Sequence, residues 1–310
     1  MSEKIIFPTI LALAAALVSG TNNFLTKIAT TSVGDPIIYT TLKNSIVALI
    51  LFGLILGFKK WPEIRNATKK QTLKLIAIGI IGGSIPFALY FTGLSQTNAI
   101  NAALIHKTLF LWVFIFAIPF LKERLSKLQI FGVAIIFTAN LFIGGFAGFK
   151  FNIGELMILG ATILWAIENI IAKKTLQEFS SQTVAAARMI LGSLVLFLFL
   201  LVRNGSAVFS FSLNNEQWTW TIITSILLFG YVTLWYGALK YAPATYVAVL
   251  LVPATLITNI LSSIFVTHVF DGRSVLTVLL YIIGYSIFIV SAGKIKNSNF
   301  LSNKTSATTT

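Results

Sequence analysis

Residues 19–24 read Ser-Gly-Thr-Asn-Asn-Phe, and residues 165–170 read Trp-Ala-Ile-Glu-Asn-Ile. Each segment lies toward the end of a long apolar stretch, and the two are 146 residues apart. Further along, Lys43 corresponds to Arg188 at an offset of 145. Few residues are identical, but the offset stays nearly constant through the loops and the intramembrane cations. Chance similarity between apolar helices does not explain a constant offset. The register predicts a tandem duplication.

Ten apolar stretches run through the chain, each close to the roughly 20 residues that cross a bilayer core. Five stretches form one repeat, and an odd number of crossings turns the second copy upside down. The sequence therefore predicts an all-α membrane protein with ten transmembrane helices in two inverted five-helix repeats. The ten stretches are about 5–26, 36–57, 73–94, 98–119, 127–146, 153–173, 182–202, 218–239, 244–266 and 274–293.

Composition agrees with this architecture, because 56% of the residues are hydrophobic and only 10% are charged. A soluble globule of this composition would expose most of its apolar surface. The expected units are a first repeat at 1–147, a second at 148–293 and a polar, disordered cytoplasmic tail at 294–310. No stretch is left for a soluble domain.

The net charge of +14 does not indicate nucleic acid, because the basic residues are distributed by membrane side. A cytoplasmic amino terminus places sixteen Lys and Arg on that side and only Lys27, Lys150, Arg203 and Arg273 on the other. This positive-inside bias predicts that both termini are cytoplasmic. With no organelle-targeting extension visible, we expect a multi-pass protein of a prokaryotic inner membrane.

Several short segments resemble those of the drug/metabolite transporter superfamily, in its EamA-domain branch. They include the Gly-Thr-Asn-Asn-Phe end of the first stretch, Gly93-Leu94 and Ala238-Leu239, and Lys122-Glu123-Arg124-Leu125. The resemblance covers residues 5 to 293. It implies ten helices around a central cavity, lined or gated by the first four helices of each half, and transport of small organic metabolites.

Lys107 lies near the middle of the fourth stretch, with His106 before it. A lysine at that depth costs about 2.5–3.5 kcal/mol to insert, so it faces a cavity or a partner. It is our first candidate to bind a substrate carboxylate or phosphate, or to exchange protons. The alternative is a lysine held for packing by backbone carbonyls or an acidic neighbour. His106 is a proton relay or a packed histidine.

Glu168 is the acidic residue well inside a stretch, and Arg188 enters the membrane from the same side. The two could neutralise each other as an ion pair. Alternatively, Glu168 binds a substrate amine or takes part in coupling, because transporters place carboxylates inside the membrane for this purpose. Lys43 is the counterpart of Arg188; it pairs with interfacial Asp35, snorkels to the interface or contacts substrate.

Polar amides and aromatic rings complete the candidate binding residues. The amides either orient a polar metabolite or hold helices together at about 0.6 kcal/mol each. Aromatic rings either form a box for a cationic ligand or anchor and fill the structure. The amides are Asn22, Asn23, Asn101 and Asn169, and the rings include Trp165 and Tyr90.

Pro86 and Pro253 are candidate gating residues, although helix packing also explains prolines inside spans. No zinc-binding His-Glu-x-x-His, Gly-x-Ser-x-Gly elbow or phosphate-binding Gly-x-x-x-x-Gly-Lys is present, so we expect neither an enzyme nor a cofactor or metal.

These features predict a secondary transporter, for example a metabolite exporter, that works by alternating access. Three intramembrane cations against one carboxylate favour a substrate with a carboxylate or phosphate, such as an amino acid. Protons or a counter-substrate provide the coupling, and the protein is a monomer or homodimer. The alternatives are a flippase for a lipid-linked head group, which needs a lateral opening, and a non-transporting membrane scaffold.

Overall fold

The computed structural model describes residues 3–94, 96–97, 99–141, 148–268 and 275–291. Within these residues every regular element is helical. A 3₁₀ turn at Gly205–Ser210 and a π turn at Ser263–Thr267 accompany the α-helices. The α-helices are α1 Glu3–Val33, α2 Pro36–Gly57, α3 Trp61–Arg65, α4 Lys69–Gly83, α5 Ile85–Leu94, α6 Ala99–Lys107, α7 Leu109–Leu121, α8 Lys127–Leu141, α9 Ile153–Thr175, α10 Ser181–Asn204, α11 Asn215–Tyr241, α12 Ala244–Leu251, α13 Pro253–Ser262 and α14 Val275–Ser291.

Eight of the ten predicted spans are long and apolar enough in the described residues to cross a bilayer. The fifth and tenth correspond to the shorter apolar helices α8 and α14. The ends predicted for these two spans, and the tail at 294–310, lie outside the described residues. The described residues therefore contain eight candidate membrane spans by length and composition, and ten remains a prediction.

The surface of the bundle is apolar and its interior carries polar groups. Val202 is 89% exposed and Leu49 is 71% exposed, whereas Asn44, Thr162 and Glu168 are buried. A soluble protein has the opposite distribution, because water penalises exposed apolar side chains. Hydrocarbon does not, so this pattern indicates helices surrounded by lipid.

The two repeats interlock through equivalent contacts. In the first repeat, α1 packs against α11 and α12–α13, which form the eighth and ninth spans. In the second repeat, α9 packs against α4–α5 and α6–α7, which form the third and fourth spans. The second spans of both repeats, α2 and α10, pack against each other. These contacts of α1, α9, α2 and α10 are thus equivalent in the two halves, as pseudo-two-fold symmetry requires.

Connections between the helices gather at two rims. One rim, which we call the basic rim, is formed by the connections 58–68, 122–126, 176–180 and 242–243. There Thr183 Oγ1 donates to Glu63 Oε2 at 2.8 Å, and Thr245 Oγ1 donates to Glu123 Oε2 at 2.6 Å. The opposite rim is formed by 34–35, 148–152 and 205–214, where Arg203 pairs with Asp35. Consecutive spans therefore run back and forth between the rims.

Three spans are broken partway along their length. The third breaks at Ser84, two residues before Pro86, and the ninth breaks at Val252, just before Pro253. The fourth breaks at Thr108 without any proline. There the Thr108 hydroxyl and backbone N–H both bond to Ile105 O, at 2.6 and 3.0 Å, which tightens the turn. Hydroxyls that bond to the preceding turn commonly bend helices in this way.

Candidate functional site

The Gly82 carbonyl is the structural centre of a polar cluster in the half of the bundle nearest the basic rim. A helical residue at position 86 would normally donate its N–H to this oxygen, but Pro86 has no N–H. Trp165 Nε1 and Arg188 Nη2 donate to it instead, at 3.0 and 3.2 Å. Pro86 therefore creates the acceptor that joins the third span to α9 and α10.

Glu168 and Arg188 face each other beside this carbonyl. Each lies seven residues from its helix end at the basic rim, or about 10 Å in. Glu168 Oε2 lies 3.8 Å from Arg188 Nη1, and Tyr236 Oη donates to Glu168 Oε1 at 2.5 Å. Arg188 Nη1 in turn donates to Tyr236 Oη at 3.4 Å. The carboxylate is thus held by a tyrosine, while the guanidinium lies near it without a close bidentate contact.

Gly82 also sets the space available to this pair. A Cβ at position 82 would strike Glu168 Cγ and come within 3.4 Å of Arg188 Nε. Glu168 is 1% exposed and Arg188 is 8% exposed, so neither charge is solvated by bulk water. Two charges buried this deeply must compensate each other, because removal of one leaves the other without a counter-ion.

An aromatic cluster adjoins the polar cluster through Trp165. The ring of Trp165 lies 4.9 Å from His106 and 5.8 Å from Tyr90, between centroids, and Tyr90 lies 5.4 Å from His106. Asn169 Nδ2 donates to Trp165 O at 3.0 Å. Asn169 Oδ1 and His106 Nδ1 are buried without a hydrogen-bond partner among the described residues. The structure therefore brings together four of the predicted residues: Tyr90, His106, Trp165 and Asn169.

Lys107 is the last residue of α6, where the fourth span breaks. It lies eight residues from the start of α6, or about 12 Å into the span. Its side chain is half-buried, and within the described part of the chain no ion pair is formed by Lys107. The carbonyl or carboxylate partner considered for a packing lysine is likewise absent from the described hydrogen bonds.

Lys43 occupies the equivalent position to Arg188 but has different neighbours. Its Nζ donates to Thr26 Oγ1 at 3.4 Å and lies 5.0 Å from the centroid of Tyr39. It does not pair with Asp35, because that carboxylate caps α2 and pairs with Arg203. It also does not snorkel, since the residue is only 6% exposed.

The predicted asparagines separate into different environments. Asn22 is buried, and its Oδ1 accepts from Thr26 Oγ1 at 3.4 Å, which connects it to the neighbourhood of Lys43. Asn23 is exposed on α1. Asn101 Nδ2 donates to Glu155 Oε1 at 2.5 Å and to Gly148 O at 3.1 Å, so it joins α6 to the start of α9 at the opposite rim.

Comparison with known proteins identifies the family. A sequence-family model described as "EamA-like transporter family" matches residues 6–145, and it matches a second time at residues 152–290. The chain belongs to the EamA-like transporter family. The predicted resemblance is therefore confirmed, and both repeats carry it.

Relatives of this EamA-like chain are named uncharacterized transporters. One from Clostridium kluyveri is 25% identical over 281 residues, which cover 88% of this chain and 89% of that protein. One from Archaeoglobus fulgidus is 25% identical over 209 residues, covering 65% and 71%. One from Synechocystis is 28% identical over 214 residues, covering 66% and 60%. A solved crystal structure matches with a TM-score of 0.75 at 17% identity, covering 93% of this chain and 98% of that one, which supports the fold.

Sequence reasoning about this EamA-like protein missed two members of the polar cluster. Gly82 is not among the predicted site residues, although its spacing of four residues before Pro86 was the available signal for a free carbonyl. Tyr236 is also not among them, because no local pattern connects it to Glu168, which lies 68 residues away.

Proposed function

We propose that this EamA-like protein is a secondary transporter. It moves a small organic metabolite that carries a carboxylate or phosphate across the cytoplasmic membrane by alternating access. Both termini are cytoplasmic, so the basic rim faces the cytoplasm, in keeping with the positive-inside rule. Protons or a counter-substrate couple the movement, and the protein acts as a monomer or homodimer.

The observation that supports this proposal most strongly is the environment of Lys107. Buried ammonium groups in membranes are costly unless they serve a pathway or have a partner. Lys107 lies at a helix break near the middle of the span and forms no ion pair in the described residues. Discontinuous helices at mid-membrane are where transporters of inverted-repeat architecture place their substrates. An anionic group on the substrate would supply the missing counter-charge.

The charge balance of the interior favours the same substrate class. Lys43, Lys107 and Arg188 lie well inside the described spans, and of these three cations Arg188 has Glu168 beside it. The aromatic cluster of Tyr90, His106 and Trp165 reaches α6 at His106, the residue before Lys107. A metabolite with an anionic end and an apolar body matches this combination.

The test is a thermal-shift screen of detergent-purified protein against amino acids, organic acids, phosphates and amines. A ligand at 100 times its dissociation constant adds about 2.7 kcal/mol to the stability of the folded state. We expect hits among carboxylates, phosphates or zwitterions that disappear in Lys107→Ala. Lys150→Ala is the matched control, because Lys150 is exposed outside the spans, and it should keep the hits. Hits confined to amines that survive Lys107→Ala would contradict the proposal.

One observation favours a flippase as the second candidate function. A groove of about 260 Å³ lies between α7 and α9, and it is lined by apolar residues such as Leu111, Trp112 and Leu159. Thr108, at the break of the fourth span, also lines it. A lipid-linked substrate needs a lateral opening, and an apolar groove at this place would suit its lipid tail. Stabilisation by a head group only when its lipid tail is attached would support this function over the first.

A further inference from the structure

Thr40 and Asn44 are unusual among the buried residues of α2. They lie one helical turn apart, so their side chains share a face. Thr40 is 1% exposed and Asn44 is 0% exposed. Yet Thr40 Oγ1 and both polar atoms of the Asn44 amide have no hydrogen-bond partner among the described residues. Three polar atoms are therefore buried and unsatisfied within one turn.

Such an arrangement is unfavourable if it is permanent. Most buried polar groups in proteins are hydrogen-bonded, because burial removes their water and only a new partner compensates. In a helix contact that opens and closes, however, the same groups regain water or a ligand in the open state. Unsatisfied polar atoms at a contact between moving parts thus mark a surface that is hydrated in another conformation.

The position of the two residues fits this explanation. Helix α2 packs against α10, its counterpart in the other repeat, and also against α5 and α11. Thr40 and Asn44 lie four and eight residues from the start of α2, or about 6 and 12 Å from the opposite rim. They therefore lie in the half of the bundle away from the Glu168–Arg188 cluster.

Their chemistry complements that of Lys43, which lies between them in the sequence. An amide and a hydroxyl each both donate and accept hydrogen bonds, and an ammonium donates three. Within the described residues, Lys43 Nζ has Thr26 Oγ1 as its hydrogen-bond acceptor, and no carboxylate is paired with it. A substrate carboxylate would accept from Lys43 Nζ, Thr40 Oγ1 and Asn44 Nδ2, whereas Asn44 Oδ1 needs a hydrogen-bond donor, such as water.

We propose that Thr40 and Asn44 belong to a second polar site for the substrate, closed in this structure, which becomes hydrated when the transporter opens to the opposite rim. This inference rests on the proposed transport function. It assigns a binding role to α2 residues outside the cluster around Glu168.

The experiment uses the absence of cysteine from the chain. Asn44→Cys and Thr40→Cys are prepared separately in the full-length protein and exposed to the membrane-impermeant sulfonate reagent MTSES in right-side-out vesicles. Leu49→Cys is the matched control, because it lies on the same helix and is 71% exposed to lipid. Lys107→Cys serves as the marker of the proposed pathway. Labelling needs water, since the reactive species is the thiolate and the reagent is charged.

We expect Asn44→Cys and Thr40→Cys to react at least tenfold faster than Leu49→Cys. If neither reacts faster than Leu49→Cys while Lys107→Cys does, the second site is wrong and the transport proposal stands. If Lys107→Cys is also unreactive, both proposals are overturned.

A second variant checks the physical premise without labelling. Asn44→Leu removes the unsatisfied amide and keeps a similar side-chain size, so it should raise the melting temperature of the detergent-purified protein. A lower melting temperature would show that the amide stabilises the closed state, and it would overturn the inference.

Discussion

Arg188 and Lys43 occupy equivalent places in the two repeats, but their surroundings differ. Arg188 lies beside Glu168 and Tyr236 and bonds to the Gly82 carbonyl. Lys43 has the hydroxyl of Thr26 and the ring of Tyr39. The residue equivalent to Glu168 is Asn22, which carries no charge. The two equivalent positions thus hold one cation paired near the basic rim and one cation in the other half without a carboxylate among the described residues.

The difference indicates where the anionic substrate that we propose would bind. A buried ion pair is internally compensated, so an anion gains less there than at a cation without a carboxylate. Lys107, near the middle, also forms no ion pair in the described residues. An anionic substrate passing from one rim to the other would therefore meet two uncompensated lysines and one paired arginine.

The largest expected effect comes from breaking the Glu168–Arg188 ion pair. Glu168→Leu leaves Arg188 buried without its carboxylate and should lower the free energy of unfolding by about 3–5 kcal/mol. Asn22→Leu, at the equivalent position, should cost only about 0.6 kcal/mol, as expected for a hydrogen bond in a membrane protein. Chemical denaturation in detergent measures both.

The double variant Glu168→Leu with Arg188→Met controls for packing. It removes both charges and should recover much of the stability lost in the single variant. Equal losses for Glu168→Leu and Asn22→Leu would contradict the distinction between the two halves.

The next largest effect comes from giving Lys43 a nearby carboxylate, as Arg188 already has. Asn22→Asp brings a carboxylate next to Thr26, whose hydroxyl contacts Lys43. A charge-assisted network there should add about 1.5–3 kcal/mol to the free energy of unfolding. The same change in a Lys43→Met background should be destabilising, because the new carboxylate then has no counter-ion. If Asn22→Asp still raises the free energy of unfolding in the Lys43→Met background, the stabilisation does not come from attraction to Lys43.

A smaller effect is expected at the carbonyls that lie four residues before the two prolines. Trp165→Phe removes a donor to Gly82 O but keeps an aromatic ring, and it should cost about 1 kcal/mol. Tyr285→Phe is the matched change in the other repeat, because Tyr285 Oη donates at 3.0 Å to Val249 O, four residues before Pro253. Both variants should lower the melting temperature similarly. Only Trp165→Phe should weaken ligand-induced stabilisation, and equal weakening in both would contradict a binding role for the cluster around Trp165.

The smallest effect concerns Glu63 at the basic rim. Burial raises the pKa of Glu63, but hydrogen bonds from Ser180 and Thr183 outweigh burial and lower the pKa from 4.5 to about 2. Because the folded-state pKa is lowered, the stability from ionised Glu63 is present above pH 4.5 and lost as the pH falls toward 2. Glu63→Gln should therefore reduce the acid dependence of the melting temperature over that range. An unchanged pH profile would mean that these hydrogen bonds do not stabilise the fold.

Much of the fold was predictable because apolar length and repeat register are direct consequences of the bilayer. The proximity of Glu168 and Arg188 followed from the direction and depth of two consecutive helices. The break at Thr108 was not predicted, because a threonine bonding to its preceding turn leaves no clear sequence signal. The ion pair between Arg203 and Asp35 was also not predicted, because the two residues are 168 positions apart and only tertiary packing brings them together.

The residues predicted for the candidate site also fall into two groups, those that the structure brings together and those that it does not. Tyr90, His106, Trp165 and Asn169 come together because their spans pack around α9. Asn23 and Asn101 do not join them: the first is exposed, and the second is held by Glu155 at the opposite rim. Helical periodicity alone does not decide which polar face of a membrane helix lies inward when apolar residues surround the helix.

The central claim is that uncompensated lysines select an anionic substrate. The direct measurement is the affinity of the best carboxylate ligand from the screen, and of its neutral amide, for the wild type and Lys107→Met. We predict that the wild type binds the carboxylate at least tenfold more tightly than the amide, or about 1.4 kcal/mol, and that Lys107→Met removes this preference. An undiminished preference in Lys107→Met, or tighter binding of the amide by the wild type, would contradict the claim.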